Sequence, residues 1–126
     1  MNIIILDDSL TIRMIIESYL EDLDVQESEI FSFDNGKDAL SFINKNGADI
    51  VFSDINMPFM SGYEFAKKLF LKHPKLKKSI FAISGDEKRE NFLKMKKVGV
   101  HRFIKKPISM RYFTHYVKPE IQKRRA

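Results

Sequence analysis

The chain has 126 residues, of which 44% are hydrophobic and 31% charged, and it contains no cysteine. This length suits one domain with a substantial core, and the lack of cysteine excludes disulfide bonds and thiolate metal sites. No apolar segment approaches the ~20 residues that cross a bilayer, so we expect a cytoplasmic domain over residues 1–126 without membrane insertion.

The formal net charge of +5 conceals an asymmetry along the chain. Residues 1–63 carry three basic and twelve acidic side chains, a net charge of −9, whereas residues 64–126 carry nineteen basic and five acidic ones, a net charge of +14. Such a division marks either a surface with a preferred partner or a solvated face.

In the first half of the chain, short apolar runs alternate with helical periodicity. NIIIL at 2–6, EIFSF at 29–33 and DIVFS at 49–53 predict three strands. The first helix can be capped by Ser9 or Thr11, and its apolar residues recur at helical spacing: Ile12, Ile15, Ile16, Tyr19, Leu20 and Leu23. A second helix ends near 46–47, and a third runs from about Tyr63 to Lys72.

The second half continues the alternation. SIFAIS at 79–84 predicts a fourth strand, a helix from about Glu87 to Val98 follows, and RFI at 102–104 predicts a fifth strand. Ser109 begins a last helix, which Pro119 should kink or end near Lys118, because proline lacks the helical donor and clashes one turn back.

Five strands alternating with five helices predict an α/β fold, with a doubly wound parallel sheet and helices on both faces. Continuous apolar runs such as NIIIL suit strands that are buried on both sides.

Polar residues follow four of these strands, at the edge where open α/β sheets place their sites. The segment FSDINMPFMSG at 52–62 illustrates this, because its strand leads directly into a carboxylate and then a loop of turn-forming residues. The polar residues at the strand ends are Asp7, Asp8, Asp54, Ser84 and Lys106. Any one of them could be a helix cap or a solvated side chain, but together they favour a site.

Three neighbouring carboxylates repel one another unless protons or a cation lie among them. Oxygen ligands suit Mg²⁺ or Mn²⁺, and three carboxylates, one divalent ion and Lys106 would sum to zero charge. Asp54 is the candidate nucleophile, because a carboxylate can form an acyl phosphate, and Lys106 would offset charge on the transferred group.

These motifs resemble the receiver domain of response regulators in two-component systems, with a length close to that of single-domain chemotaxis regulators. The resemblance covers essentially the whole chain. It rests on Asp7-Asp8, on Asp54-Ile-Asn-Met-Pro with Gly62 eight residues after Asp54, on Ser84-Gly85 and on Lys106-Pro107. It implies a flavodoxin-like sheet with strand order 2-1-3-4-5.

The resemblance also implies site roles. Asp54 would accept the phosphoryl group, and Mg²⁺ would be held by Asp8, Asp54 and the Asn56 carbonyl, with Asp7 acting through water. Lys106, before a cis proline, would pair with the phosphoryl group.

Further implied roles concern signalling. Ser84 would hydrogen-bond a phosphoryl oxygen and move with its loop, and Phe103 would rotate inward in response. The family often has tyrosine at that position, whose hydrogen bond phenylalanine cannot make. Asn56 and Asp86 would flank the attacking water and tune autodephosphorylation.

The expected phosphodonor is a sensor histidine kinase or a phosphotransfer protein. A downstream protein would bind a basic face formed by the fourth helix, fifth strand and fifth helix, and the chain would be a monomer or a phosphorylation-dependent dimer. The basic residues of this face are Lys88, Arg89, Lys94, Lys96, Lys97, Arg102, Lys105 and Arg111. Nucleic acid is disfavoured, since no helix-turn-helix signature or basic-aromatic interleaving is present.

Other interpretations remain. The chain could be a pseudo-receiver that binds proteins without phosphorylation, although all five key residues are present. An aspartate-nucleophile phosphatase of the haloacid dehalogenase type would need an acid two residues after its nucleophile, where this chain has Asn56. A flavin-binding protein would need a phosphate-cradling glycine loop, where this chain has DDSLT. We therefore expect a phosphoacceptor that assists its own phosphotransfer rather than an enzyme.

Overall fold

The structure is a computed structural model that describes residues 1–85 and 88–126. The described strands are β1 (Ile3–Leu6), β2 (Ile30–Phe33), β3 (Ile50–Asp54), β4 (Ile80–Ser84) and β5 (Phe103–Lys105). The described α-helices are α1 (Leu10–Asp22), α2 (Gly36–Asn46), α3 (Gly62–Lys72), α4 (Arg89–Val98) and α5 (Met110–Arg125). Short 3₁₀ helices at Glu27–Glu29 and Pro74–Lys78 precede β2 and β4.

All four strand pairings are parallel, and the sheet order β2-β1-β3-β4-β5 confirms the predicted fold. The central strands β1 and β3 are buried along their whole length, as their continuous apolar runs predict. Because every strand runs the same way, all five carboxyl ends meet at one edge of the sheet.

Two apolar layers enclose the sheet. On one face, Ile5 and Phe52 pack with residues of α1 and α5, such as Leu20 and Phe113. On the other face, Leu6 and its neighbours pack with residues of α2, α3 and α4. Burial of these side chains is the main stabilising contribution to the fold.

Serine side chains cap the starts of α1 and α5. The Ser9 hydroxyl accepts a hydrogen bond from the Ile12 amide at 3.3 Å, so Ser9 rather than Thr11 caps α1. Ser109 caps α5 in the same way. The predicted start of the fourth helix at Glu87 lies outside the described residues, and α4 begins at Arg89.

Pro119 predicted that the last helix kinks or ends near Lys118, and the second of these outcomes, an end, is wrong. Helix α5 continues past Pro119 to Arg125. Its last turns are held from outside the helix, because Val117 and Ile121 are buried and the Glu120 carboxylate pairs with Arg102 at 3.2 Å. These contacts offset the loss of the backbone hydrogen bond that Pro119 cannot donate.

Candidate functional site

The carboxyl edge of the sheet gathers three aspartates from two adjacent strands. Asp7 and Asp8 follow β1, and Asp54 is the last residue of β3. Asp7 and Asp54 are buried, whereas Asp8 is exposed. One carboxylate oxygen from each of the three lies within 4.8 Å of the others, so the structure brings together the three predicted acidic residues.

Lys106 lies against two of these carboxylates. Its Nζ atom is 3.3 Å from Oδ1 of Asp54 and 3.5 Å from Oδ2 of Asp7. The Lys106–Pro107 peptide bond is cis, as the resemblance implies. Its neighbour Lys105 is exposed, so the lysine directly before the proline is the one that reaches the site.

Backbone contacts hold the loop that carries Asp7 and Asp8. The Ser9 amide donates to Oδ1 of Asp7 at 2.8 Å, and the Arg13 guanidinium donates to the Asp7 carbonyl at 2.7 Å. Sequence reasoning missed Arg13. Its position in the sequence pointed to this role, since Arg13 is the only basic residue among the first 36 and lies one helical turn after the Ser9 cap.

Gly62 allows the loop after β3 to fold back on Asp54. The Gly62 amide donates to the Ile55 carbonyl at 2.8 Å. A β-carbon at Gly62 would lie 2.2 Å from the Asp54 carbonyl oxygen and 2.8 Å from the Ile55 α-carbon, so no larger residue fits this approach. The Ile55 amide in turn donates to Oδ1 of Asp54 at 2.9 Å, which orients the carboxylate.

The remaining predicted residues lie around this cluster. The Asn56 side chain is exposed, and its oxygen accepts a hydrogen bond from Asn91 at 3.4 Å. Ser84 ends β4, and its carbonyl accepts the Lys106 amide at 2.6 Å. Phe103 is partly buried, with its ring centroid 4.4 Å from that of Phe92 on α4. Asp86 lies outside the described residues.

Burial and mutual repulsion shift the ionisation of the acidic residues. Burial, then the neighbouring Asp7 charge, raises the pKa of Asp54 to about 6. Burial likewise raises the pKa of Asp7. Burial alone would lower the pKa of Lys106, but the Asp54 and Asp7 carboxylates outweigh it and raise that pKa. Additional positive charge would therefore be favourable at this site.

The donor set suits a divalent metal ion. Oδ2 of Asp7 is buried and, within residues 1–85 and 88–126, finds no hydrogen-bond partner, although the Lys106 ammonium is nearby. The converging ligands are all carboxylate oxygens, which Mg²⁺ and Mn²⁺ prefer. The aspartate cluster could thus hold a divalent ion.

Seven of the eight basic residues predicted around α4, β5 and α5 are exposed, and the eighth, Arg102, is partly buried. The Arg102 guanidinium pairs with Glu120 and lies 4.9 Å from the Phe81 ring centroid, so it stabilises the packing of α5. Lys94 lies toward α3, with its Nζ 5.8 Å from the Tyr63 ring centroid.

The sequence pattern of the response regulator receiver domain matches residues 3–118, and the chain belongs to this family. It is 31% identical over 109 residues to the chemotaxis protein CheY-3 of Vibrio cholerae, covering 86% of this chain and 82% of that protein. It is also 33% identical over 114 residues to the cyclic di-GMP phosphodiesterase response regulator RpfG of Xanthomonas campestris, covering 88% of this chain but 29% of that longer protein.

Solved structures agree with this assignment. The chemotaxis protein CheY4 of Vibrio cholerae superimposes with a TM-score of 0.80 at 26% identity, over 94% of this chain and 96% of that one. The receiver domain of NtrX from Brucella abortus shares the fold, with a TM-score of 0.83 at 23% identity over 96% and 98% of the two chains. Receiver domains of this kind belong to two-component signalling and are in general not enzymes. Among the described helices, none is both long and apolar enough to cross a membrane.

Proposed function

We propose that this receiver domain accepts a phosphoryl group on Asp54 from a phosphohistidine donor, with Mg²⁺ or Mn²⁺ required. The donor would be a sensor histidine kinase or a phosphotransfer protein, and the result would be an altered α4-β5-α5 face for a downstream protein. The observation that carries the proposal is the position of the Lys106 ammonium, 3.3 Å from Asp54 and 3.5 Å from Asp7 at the carboxyl edge of the sheet.

In the transfer step, a carboxylate oxygen of Asp54 attacks the phosphorus of the donor. The new oxygen–phosphorus bond forms while the phosphorus–nitrogen bond breaks, and the electron pair of that bond remains on the imidazole nitrogen. The Ile55 amide holds the Asp54 carboxylate during the attack. Lys106 then turns its charge toward the phosphoryl oxygens, because the Asp54 carboxyl group has lost its charge on becoming the mixed anhydride of an acyl phosphate.

Asp8, Asp54 and the Asn56 carbonyl would hold the ion, with Asp7 acting through water. The ion would supply positive charge that offsets the phosphoryl oxygens. Three carboxylates, a divalent ion and Lys106 together have no net charge, so the site can take up a phosphoryl group without a large electrostatic penalty.

Loss of the phosphoryl group would follow by attack of water on phosphorus, which regenerates the Asp54 carboxylate and releases inorganic phosphate. The Asn56 side chain, at the exposed mouth of the site, would help to position this water. Asp86 would be its partner in setting the phosphoryl lifetime. The domain would therefore assist its own phosphorylation and dephosphorylation rather than act on a separate substrate.

The signal would pass from Ser84 to β5. The Ser84 hydroxyl would donate to a phosphoryl oxygen, and its backbone is already joined to Lys106 through a 2.6 Å hydrogen bond. Phe103, which packs on Phe92 of α4, would then turn inward and change the contact between α4 and β5.

A groove of about 380 Å³ lies between β5 and α5 on the proposed output face. Phe103 and Lys105 line one side, and Tyr112 and Tyr116 line the other and are more than half exposed. An acidic partner segment with apolar side chains would complement this surface.

The test is the intact mass of the protein after incubation with acetyl phosphate, with Mg²⁺ or with a chelator. We expect one phosphoryl adduct that requires Mg²⁺ and is lost in Asp54→Ala. In Lys106→Ala we expect the adduct to form much more slowly. A wild-type protein that binds Mg²⁺ but takes up no phosphoryl group would contradict the proposal and favour a pseudo-receiver that binds proteins without phosphorylation.

A further inference from the structure

The proposed phosphotransfer chemistry does not explain why residue 59 is an exposed phenylalanine. It lies in the loop between β3 and α3, its side chain is fully exposed (relative accessibility 103%), and its backbone is left-handed, with φ of 68°. Glycine, asparagine and aspartate tolerate this conformation, whereas a bulky residue does so at a cost. Asp24 also has a positive φ, 64°, but it is one of the tolerant residue types.

Nothing within the described chain offsets that cost. The other apolar residues of the loop turn toward the protein, since Met57 packs against the core and the Met60 side chain lies against Gly36. The Phe59 ring buries no surface, so neither local conformation nor packing favours phenylalanine here. An exposed aromatic side chain held in a disfavoured conformation indicates a contact made outside this chain.

The position of Phe59 indicates which partner makes that contact. Phe59 lines a groove with Asp8, Asp34, Gly36, Pro58 and Met60. Asp8 also lines the cleft that opens over Asp54 and Lys106. The groove and the cleft therefore meet at Asp8, so a protein that brings a phosphohistidine to Asp54 approaches the rim on which Phe59 lies.

The charges around Phe59 indicate the chemistry of that partner. The groove that Phe59 lines carries two carboxylates, Asp8 and Asp34, against one lysine, Lys37, so its lining is acidic on balance, and Asp8 is exposed. A complementary surface has an apolar side chain opposite the ring, flanked by lysine or arginine.

We infer that Phe59 is a specificity-determining anchor for the protein phosphodonor, which buries the ring while its phosphohistidine reaches Asp54. The inference rests on the proposed function and deepens it. Small phosphodonors do not span the rim, so they should not depend on Phe59. Comparing the two kinds of donor therefore tests the role of Phe59 separately from the proposed phosphorylation of Asp54.

The experiment compares two phosphodonors on the same variants. The protein donors are the histidine kinases of the source organism, purified and autophosphorylated with radiolabelled ATP, and the small donor is acetyl phosphate. The variants are Phe59→Ala, Phe59→Asn and Phe59→Tyr, and Leu71→Ala removes a comparably exposed apolar side chain on α3 (80% accessible) as a matched control.

We expect Phe59→Ala and Phe59→Asn to lower kcat/KM for the kinase by about 10- to 30-fold, the loss typical of an interface anchor. Phe59→Tyr keeps the ring and should stay close to wild type, as should Leu71→Ala. Phosphorylation by acetyl phosphate should not change in any of them. Phe59→Asn should also raise Tm by about 2–6 °C, because asparagine suits the left-handed backbone.

Three results would overturn the inference while leaving phosphorylation of Asp54 intact. The first is equal phosphotransfer from the kinase to wild type and Phe59→Ala. The second is a wild-type protein that acetyl phosphate labels but none of the kinases labels. The third is a wild-type dimer that Phe59→Ala converts to a monomer with unchanged phosphotransfer, because the ring would then bind a second copy of the chain. Failure of acetyl phosphate to label wild type would instead contradict the proposed function.

Discussion

Asp54 combines burial at the end of β3 with a neighbouring carboxylate, and its pKa of about 6 lies above the ordinary value of 3.8. The folded chain therefore binds a proton at this residue more tightly than the unfolded chain does. The contribution of Asp54 to stability is full below about pH 4 and is lost as the pH rises through about 6. At neutral pH, the metal-free protein has an unfavourable buried charge at the site of its chemistry.

We predict that Asp54→Asn stabilises the metal-free protein at pH 7 by about 1–3 kcal/mol, because the isosteric amide removes that charge. The free energy of unfolding should also fall much less in the variant than in wild type as the pH rises from about 4 to about 6. Urea denaturation in the presence of a chelator measures both effects. Asp8→Asn is the matched control, and it should change stability less because Asp8 is exposed. A less stable Asp54→Asn protein at pH 7 would contradict this account of the carboxylate cluster.

Gly62 provides a second prediction about a single residue. Gly62→Ala places a methyl group against the Asp54 carbonyl and the Ile55 backbone, which cannot move without displacing the end of β3. We expect a loss of about 2 kcal/mol in the free energy of unfolding and slower phosphorylation by acetyl phosphate.

Gly36→Ala is a close control for Gly62→Ala, because both glycines are the first residue of a helix. The added methyl group at Gly36 meets the flexible end of the Met60 side chain, which can move aside. We expect a change of less than about 1 kcal/mol. If the two substitutions lowered the free energy of unfolding equally, the close approach to the Asp54 backbone would not be the reason that position 62 requires glycine.

Among the helices, α5 shows how tertiary contacts override a local signal. Pro119 predicts that the helix kinks or ends, yet the turns beyond it remain helical because the buried Ile121 and the Arg102–Glu120 ion pair hold them. The pair joins residues eighteen positions apart, so helical periodicity alone could not reveal it. The predicted starts of α1 and α5 succeeded because serine caps act locally.

We predict that Pro119→Ala stabilises the protein by about 1–3 kcal/mol, because alanine restores a backbone donor inside a helix that already forms. Thermal denaturation measures the change. Pro74→Ala is the comparison, since Pro74 begins a 3₁₀ helix where its missing donor has no partner to lose, and it should bring no gain. A fall in Tm for Pro119→Ala would mean that the proline itself supports the packing of α5.

For the whole molecule, much of the architecture was predictable because its causes are local. Apolar runs and helical spacing located the strands and helices, and the rule that sites lie beyond the strand ends placed the aspartates and Lys106 together. The strand order came from the family resemblance, since periodicity does not determine which strands are neighbours. The left-handed backbone of Phe59 and the Arg13 contact to Asp7 depend on loop geometry, which residue patterns do not specify.

The proposed signal also makes a prediction for the molecule as a whole. With acetyl phosphate and Mg²⁺, amide hydrogen exchange should change in α4, β5 and the start of α5. Amide exchange should stay nearly constant in α2, which packs against β2 and β1, at the opposite end of the sheet from β5. Asp54→Ala treated identically is the control. Changes of similar size in α2, or no change near Phe103, would contradict transmission through Ser84 and β5.

The central claim, that Asp54 alone accepts the phosphoryl group, is tested most directly by locating the modification. Borohydride reduces an acyl phosphate on aspartate to homoserine, so the labelled protein can be reduced, digested and sequenced by mass spectrometry. We predict homoserine at position 54, only when Mg²⁺ and acetyl phosphate are both present, and unchanged aspartate at positions 7 and 8. Homoserine at position 7 or 8, or its absence from position 54 in phosphorylated protein, would contradict the assignment.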